Sequence, residues 1–209
     1  MKRVLILSGL ALSALAIAPP ASADGLTGLY AGGALGYGAL STRYNDENAK
    51  TSAKNSDAGV AYEAFVGWGA RAAGPLYLGA EVSIGDDQTK SSRTIAGGKV
   101  TTEGNVRVTP AARVGYMLSD DSMIFTRIGL QYRDYDVKLP NGQTRSKDFR
   151  TPVLGLGYEH AVSDSISVRG ELSVVGAKSE TFAYGVGGAS KLKVDPRESR
   201  LMIGAAMHF

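Results

Sequence analysis

Apolar and polar residues alternate at every second position along most of this chain, and the alternation falls into eight segments. A period of two puts successive side chains on opposite faces of an extended strand, so each segment predicts a β-strand with one apolar face. The first carries Leu29, Ala31, Gly33, Leu35 and Tyr37 on one parity, and the second Tyr62, Ala64, Val66 and Trp68. The third sets Leu76, Leu78, Ala80, Val82 and Ile84 against Tyr77, Gly79, Glu81 and Ser83, the cleanest alternation of the eight. Val106 to Tyr116, Ile124 to Tyr132, Pro152 to Tyr158, Ile166 to Val174 and Leu201 to Phe209 complete the set.

The connections alternate too. Three are short and turn-like, at 72–75, 119–122 and 163–165, and four are long and polar, at 42–57, 86–102, 136–147 and 178–196. Transmembrane barrels have short periplasmic turns, longer extracellular loops and an even number of strands, and all seven connections obey that rule. A soluble β-sandwich also alternates, but its core demands large side chains. Here the apolar parity includes many Ala, Gly and Val, while the opposite parity mixes Gly with Arg and Glu, as suits the crowded interior of a narrow barrel. The predicted fold is an all-β, eight-stranded antiparallel transmembrane β-barrel.

The first residues change the picture at one end only. Lys2 and Arg3 precede an apolar run over 4–18, and Pro19-Pro20-Ala21-Ser22-Ala23 closes it with an Ala-x-Ala pattern. That predicts a signal peptide over 1–23, cleaved between Ala23 and Asp24, with the barrel domain over 24–209. The formal net charge is +3, of which Lys2 and Arg3 supply two, too little for a nucleic-acid-binding field. Cysteine is absent, so disulfides, thiolate metal sites and a cysteine nucleophile are excluded.

Gly28-Leu29-Tyr30-Ala31-Gly32-Gly33-Ala34-Leu35-Gly36-Tyr37, the eight alternating segments and the terminal Phe209 resemble the small outer-membrane β-barrel family. That family groups the transmembrane domain of outer-membrane protein A with opacity-type surface proteins. The resemblance implies a place in the outer membrane of a Gram-negative bacterium, in contact with outer-membrane lipid and lipopolysaccharide. It also implies that Leu201, Ile203, Ala205, Met207 and Phe209 form the signal read by the barrel-assembly machinery. It does not imply the peptidoglycan-binding domain of full-length outer-membrane protein A.

Parity places Glu63, Glu81, Arg107, Arg113, Arg127, Arg133, Glu159, Arg169, Glu171 and Arg200 inside the barrel. A slip of one residue would turn them toward lipid, so these charges fix register. A three-residue turn at 163–165 sets Glu159 opposite Arg169. Glu63 and Glu81 are expected at similar heights on the second and third strands, and Arg113 and Arg127 on the fourth and fifth. An internal ion-pair network joining these walls is the expected result, and it plugs the lumen; a low-conductance pore for polar solutes is the alternative.

Catalytic, metal-binding and cofactor-binding residues are not expected. His160 falls on the lipid-facing parity and His208 beside the terminus, so neither reads as part of a hydrolytic site, and a lipid A-modifying enzyme is the weakest of three functional readings. The Gly-rich strings at 32–36 and 155–157 lack the helix of a phosphate cradle. Asp46, Glu47, Asp86, Asp87, Asp120 and Asp121 lack EF-hand spacing and read as solvated loop charge. Tyr37, Tyr62, Trp68, Tyr116, Tyr132 and Tyr158 read as interfacial girdles. Phe182 and Tyr184, in the fourth long loop, are candidate contacts for a host or surface ligand. The leading reading is a non-enzymatic structural or surface-interaction barrel.

Overall fold

The computed structural model describes residues 25–46, 51–87, 90–95, 98–138, 144–176, 180–184 and 190–209. Its strands are β1 (Gly28–Asp46), β2 (Thr51–Ala73), β3 (Leu76–Asp87), β4 (Lys90–Ile95), β5 (Gly98–Ser119), β6 (Ser122–Lys138), β7 (Thr144–Ser163), β8 (Ile166–Val175), β9 (Glu180–Tyr184) and β10 (Ser190–His208). Strands β1, β2, β3, β5, β6, β7, β8 and β10 pair antiparallel in that order, and β1 pairs back to β10. The result is a closed eight-stranded barrel, sealed along a seam that includes Leu35↔Ile203 and Tyr30↔His208. Residues 1–24, including the expected cleavage site at Ala23 and Asp24, lie outside the described residues.

Each short turn forms where the sequence places it. Gly74 adopts φ +52°, a left-handed conformation that glycine enters without a Cβ clash, and Pro75 follows it to reverse the chain. Asp120-Asp121 and Asp164-Ser165 make the other two turns. An irregularity between Ala161 and Ser163 shifts the β7–β8 ladder by one residue, so a two-residue turn delivers the register of a three-residue one.

Outward parity is apolar all the way round. Leu35, Val66, Leu78, Val82, Val114, Ile128, Leu156, Leu172 and Ile203 stand exposed, forming a continuous belt that water would not tolerate and lipid requires. Tyr37, Tyr62 and Tyr132 mark its hairpin side, and Trp68, Tyr116 and Tyr158 its turn side; all six point outward and are exposed. Inside, Tyr30, Ala34, Ala61, Phe65, Met202 and Ala206 pack along one wall. Leu26, from the segment entering β1, packs into the turn-side mouth against Tyr77, Met117, Met123 and Phe125.

The four long polar loops are corrected by the structure: most of their residues are strand. Pairing of β1 with β2 runs out to Asp46↔Thr51 and that of β6 with β7 to Lys138↔Thr144, while β4 folds on the start of β5 and β9 on the start of β10. Beyond the apolar runs the backbone pairing continues where the sequence no longer alternates, through segments that carry Thr, Val and Tyr, residues that favour strands. Reading by alternation alone misses such strands.

The wall also divides there. β2 pairs with β3 no further than Ala61↔Asp87, and β7 with β8 no further than Val153↔Val175. Beyond those points, among the described residues, the ladders form two four-stranded sets, β9-β10-β1-β2 and β4-β5-β6-β7, with no ladder joining β2 to β4 or β7 to β9, although β2 and β4 still lie near each other. Pro152 explains the second division. The Gly176 N–H donates to the Pro152 carbonyl at 2.7 Å, but proline has no N–H to return, and the ladder stops at half a pair.

If the apolar belt faces lipid, Val82→Arg at mid-strand should lower folding stability by about 2–4 kcal/mol, whereas Leu118→Arg near the turn end should cost about 0–1 kcal/mol. Urea titration in lipid vesicles checks the contrast; equal costs would contradict the placement of the belt.

Candidate functional site

The inward parity of eight tilted strands converges on a narrow lumen that long side chains fill. All ten charged residues expected inside are there, none more than 7% exposed. Glycines make the space. A Cβ at Gly85 would meet Arg107 Nη2 at 2.8 Å, and one at Gly155 would meet Glu171 Oε1 at 2.7 Å, so each long side chain lies across a bare position of a neighbouring strand.

The charges stack in three levels. Toward the hairpins, Asp87 accepts from Arg107 Nη1 at 2.6 Å and Arg133 Nη1 at 2.8 Å, with Arg200 Nη1 at 3.5 Å. Glu198 lies 3.2 Å from both Arg133 and Arg200, and Gln131 links Arg200 Nη2 (2.8 Å) to Glu198 (3.2 Å). In the middle, Arg127 donates from Nε to Glu171 at 3.0 Å and from Nη1 to Glu63, Glu81 and Ser83 at 3.3–3.4 Å. Toward the turns, Arg169 Nη1 donates to Glu81 at 2.6 Å, and Arg113 donates to Tyr30 Oη at 2.9 Å and to Glu159 at 2.5 Å. The Arg169 guanidinium lies 3.4 Å from the centre of the Phe65 ring and that of Arg113 lies 4.1 Å from Phe125, adding cation–π attraction in a desolvated setting.

Burying a charge costs several kcal/mol unless good geometry and further hydrogen bonds offset it. Here the offset is shared: Glu81 faces Arg113, Arg127 and Arg169 together with the Tyr30 hydroxyl, and Asp87 faces three guanidinium groups. Arg113 and Arg127 stand directly opposite in register, and carboxylates on both sides keep the like charges tolerable.

Several expectations change. Asp87 is no solvated loop charge but 5% exposed at the centre of the hairpin-side level; Asp86 is half-buried, 3.3 Å from Arg133. Glu63 and Glu81 are not at one height: Glu63 pairs with Gly85 and Glu81 with Gly67, and Arg127 bridges the offset. Glu159 and Arg169 do oppose each other, yet Glu159 turns to Arg113, two strands away on β5, and Arg169 to Glu81 on the opposite side of the barrel, because long side chains reach beyond the neighbouring strand. Glu198, Gln131, Tyr30, Ser83 and Ser167 also belong to the network, beyond the ten charged residues expected inside. Parity finds the two missing carboxylates: Asp87 continues Glu81, Ser83 and Gly85, and Glu198 continues Arg200 backward by one step of two.

Ser167, His208 and Glu159 meet at the turn-side end. Ser167 Oγ donates to Glu159 at 2.6 Å and lies 3.0 Å from His208 Nε2, which is 3.7 Å from Glu159. A hydrolytic triad needs the carboxylate on the imidazole nitrogen remote from the serine. Here both partners share Nε2, Nδ1 is buried without a partner, and no member is more than 4% exposed. His160 faces outward. Among the described residues no cluster of His, Asp or Glu is placed to hold a metal ion.

The remaining candidates are dispersed. Phe182 and Tyr184 fall on β9, their backbone opposite Leu192 and Ser190. Leu201, Ile203, Ala205 and Met207 face outward along β10, and the Phe209 N–H donates to the Leu29 carbonyl at 2.8 Å. Asp120 pairs with Arg71 at 2.7 Å on the exposed turn side, Asp121 is exposed in the same turn, Asp46 ends β1, and Glu47 lies outside the described residues.

Removing one partner of a buried ion network leaves the others unpaired, so Glu81→Gln should cost about 3–5 kcal/mol, whereas Asp120→Asn, which removes an exposed pair, should cost less than about 1 kcal/mol. Urea midpoints in vesicles measure both; a Glu81→Gln variant as stable as the parent would contradict the network.

The family model described as outer membrane protein beta-barrel domain matches residues 8–208. No curated protein matches the chain. Among solved structures, the outer membrane protein OprG from Pseudomonas aeruginosa aligns with a TM-score of 0.58 at 13% identity, over 89% of this chain and 99% of that one. Ail, the attachment invasion locus protein of Yersinia pestis, solved with the heparin analogue sucrose octasulfate, aligns at 0.47 and 9% identity over 88% and 100%. The outer membrane protease OmpT from Escherichia coli aligns at 0.48 and 8% over 87% and 97%. At these identities OprG supports the fold alone, and the family match carries the assignment: the chain belongs to the outer membrane protein β-barrel domain family.

Proposed function

We propose that this protein is a non-enzymatic outer-membrane barrel that presents its long hairpins to ligands at the cell surface, with the lumen serving as a rigid support. The sealed lumen carries this reading. A water path through the barrel would leave exposed surface on every level it passes. Yet Tyr30, Tyr77, Glu81, Arg113, Met123, Phe125, Glu159 and Arg169 are each no more than 4% exposed, and Leu26 stoppers the mouth beneath them. Solute transport and chemistry in the lumen both need access that this packing denies, and the hairpins beyond the belt are what a partner meets. Within the same reading, residues 1–23 are a signal peptide cut between Ala23 and Asp24. The outward row Leu201, Ile203, Ala205, Met207 and Phe209 is the segment recognised during assembly.

Purified folded protein in planar lipid bilayers should give no stepwise openings, and Arg113→Ala and Glu81→Ala variants that retain the folded, heat-modifiable gel band should not change the ion selectivity of any rare event. Regular openings whose selectivity follows those substitutions would replace this reading with a channel. Shortening the four hairpins to tight turns should abolish adhesion of expressing cells to host-cell monolayers while the barrel still folds.

A further inference from the structure

A strand edge with unpaired N–H and C=O groups is a template for another strand, and proteins usually guard it with Lys, Pro or inward charge. The divided wall creates four such edges above the belt: β2 and β4 at one division, β7 and β9 at the other. Their protection is unequal. The edge of β2 carries Lys54 and Asp57, β4 carries Lys90 and Arg93, and β7 carries Arg145, Lys147, Asp148, Arg150 and Pro152. β9 reads Glu-Thr-Phe-Ala-Tyr, with a single charge at its start and strand-forming residues through the rest. It pairs with β10 along all five residues, and its other edge has no partner strand among the described residues. The division beside it is built in, since Pro152 ends the β7–β8 ladder at the Gly176 N–H and leaves residues 144–151 of β7 open on the side away from β6.

We propose that the slot between β7 and β9 is a strand-addition site, where an extended segment of a partner polypeptide pairs main chain to main chain with the free edge of β9. This rests on the surface-interaction reading and gives it a mode. Only a polypeptide repeats donors and acceptors at the spacing of a strand edge. A second barrel would have to bring its β9 in with a whole sheet attached, beside β7, whereas a lone strand carries no sheet with it. The opposite edge carries Arg145, Lys147 and Arg150 against one Asp148, so the favoured segment alternates strand-forming with acidic residues.

The full mature protein in lipid nanodiscs, panned against a phage library of short linear random peptides, tests this. Enriched peptides are expected to alternate β-branched or aromatic residues with acidic ones. Single backbone N-methyl groups walked along them should weaken binding about tenfold at every second residue and little between, the signature of a paired strand. Replacing 180–184 with a Gly-Ser linker should abolish binding while the barrel stays heat-modifiable, and Pro152→Val, which lets the β7–β8 ladder extend, should weaken it. Failure to enrich a peptide, or peptides indifferent to methyl position or to the β9 replacement, overturns the proposal. So does heparin binding that ignores β9, or a concentration-dependent dimer lost with the linker variant. Adhesion kept with β9 replaced but lost with all hairpins shortened rejects strand addition alone; adhesion kept in both rejects the surface reading itself.

Discussion

An ionised group inside an eight-stranded barrel in a membrane cannot retreat to water, so its recourse is an oppositely charged or polar partner inside the lumen. Six arginines, Arg107, Arg113, Arg127, Arg133, Arg169 and Arg200, and six carboxylates, Glu63, Glu81, Asp87, Glu159, Glu171 and Glu198, lie buried in the described lumen. Their formal charges balance. That balance governs the rest: it holds the strands in register, because a slip of one residue on any strand would turn that strand's charges to the outer face. Gly85 and Gly155 follow from it, since guanidinium and carboxylate stems need bare neighbours to lie across, while Gly67, Gly69 and Gly157 make the same room for Tyr30, Tyr77 and Phe125.

Much of this architecture is legible in the amino-acid sequence, because the period of two carries both facts at once: which residues meet lipid and which meet each other. Leu78, Val82 and Ile84 against Tyr77, Glu81 and Ser83 settle the orientation of β3 without further information. Less legible is where the alternation stops mattering. Asp87 and Glu198 sit one step beyond the apolar runs, so they resemble loop charge although they share the inward parity. Partner choice is not legible at all. Glu159 and Arg169 are neighbours by register, yet each binds a residue beyond the neighbouring strand, which depends on side-chain reach and on the shape of the cross-section rather than on spacing along a strand.

The same physics separates the two halves of the molecule. Within the belt every main-chain group must be paired inside the barrel, so the wall closes. Above it water can satisfy an open edge, and the wall is free to part where Pro152 withholds a donor. A closed lower barrel and a rim where the ladders part are therefore consequences of one chain crossing from lipid to water.

The central claim is that the lumen charges act as one coupled network. A double-mutant cycle on Arg113 of β5 and Glu159 of β7, which meet at 2.5 Å over the intervening β6, measures that coupling directly. With Arg113→Met, Glu159→Gln and the double variant compared by vesicle-based unfolding, the account predicts a coupling energy of about 1–3 kcal/mol. Additivity to within about 0.5 kcal/mol would mean that the two groups merely fill space, and would contradict it.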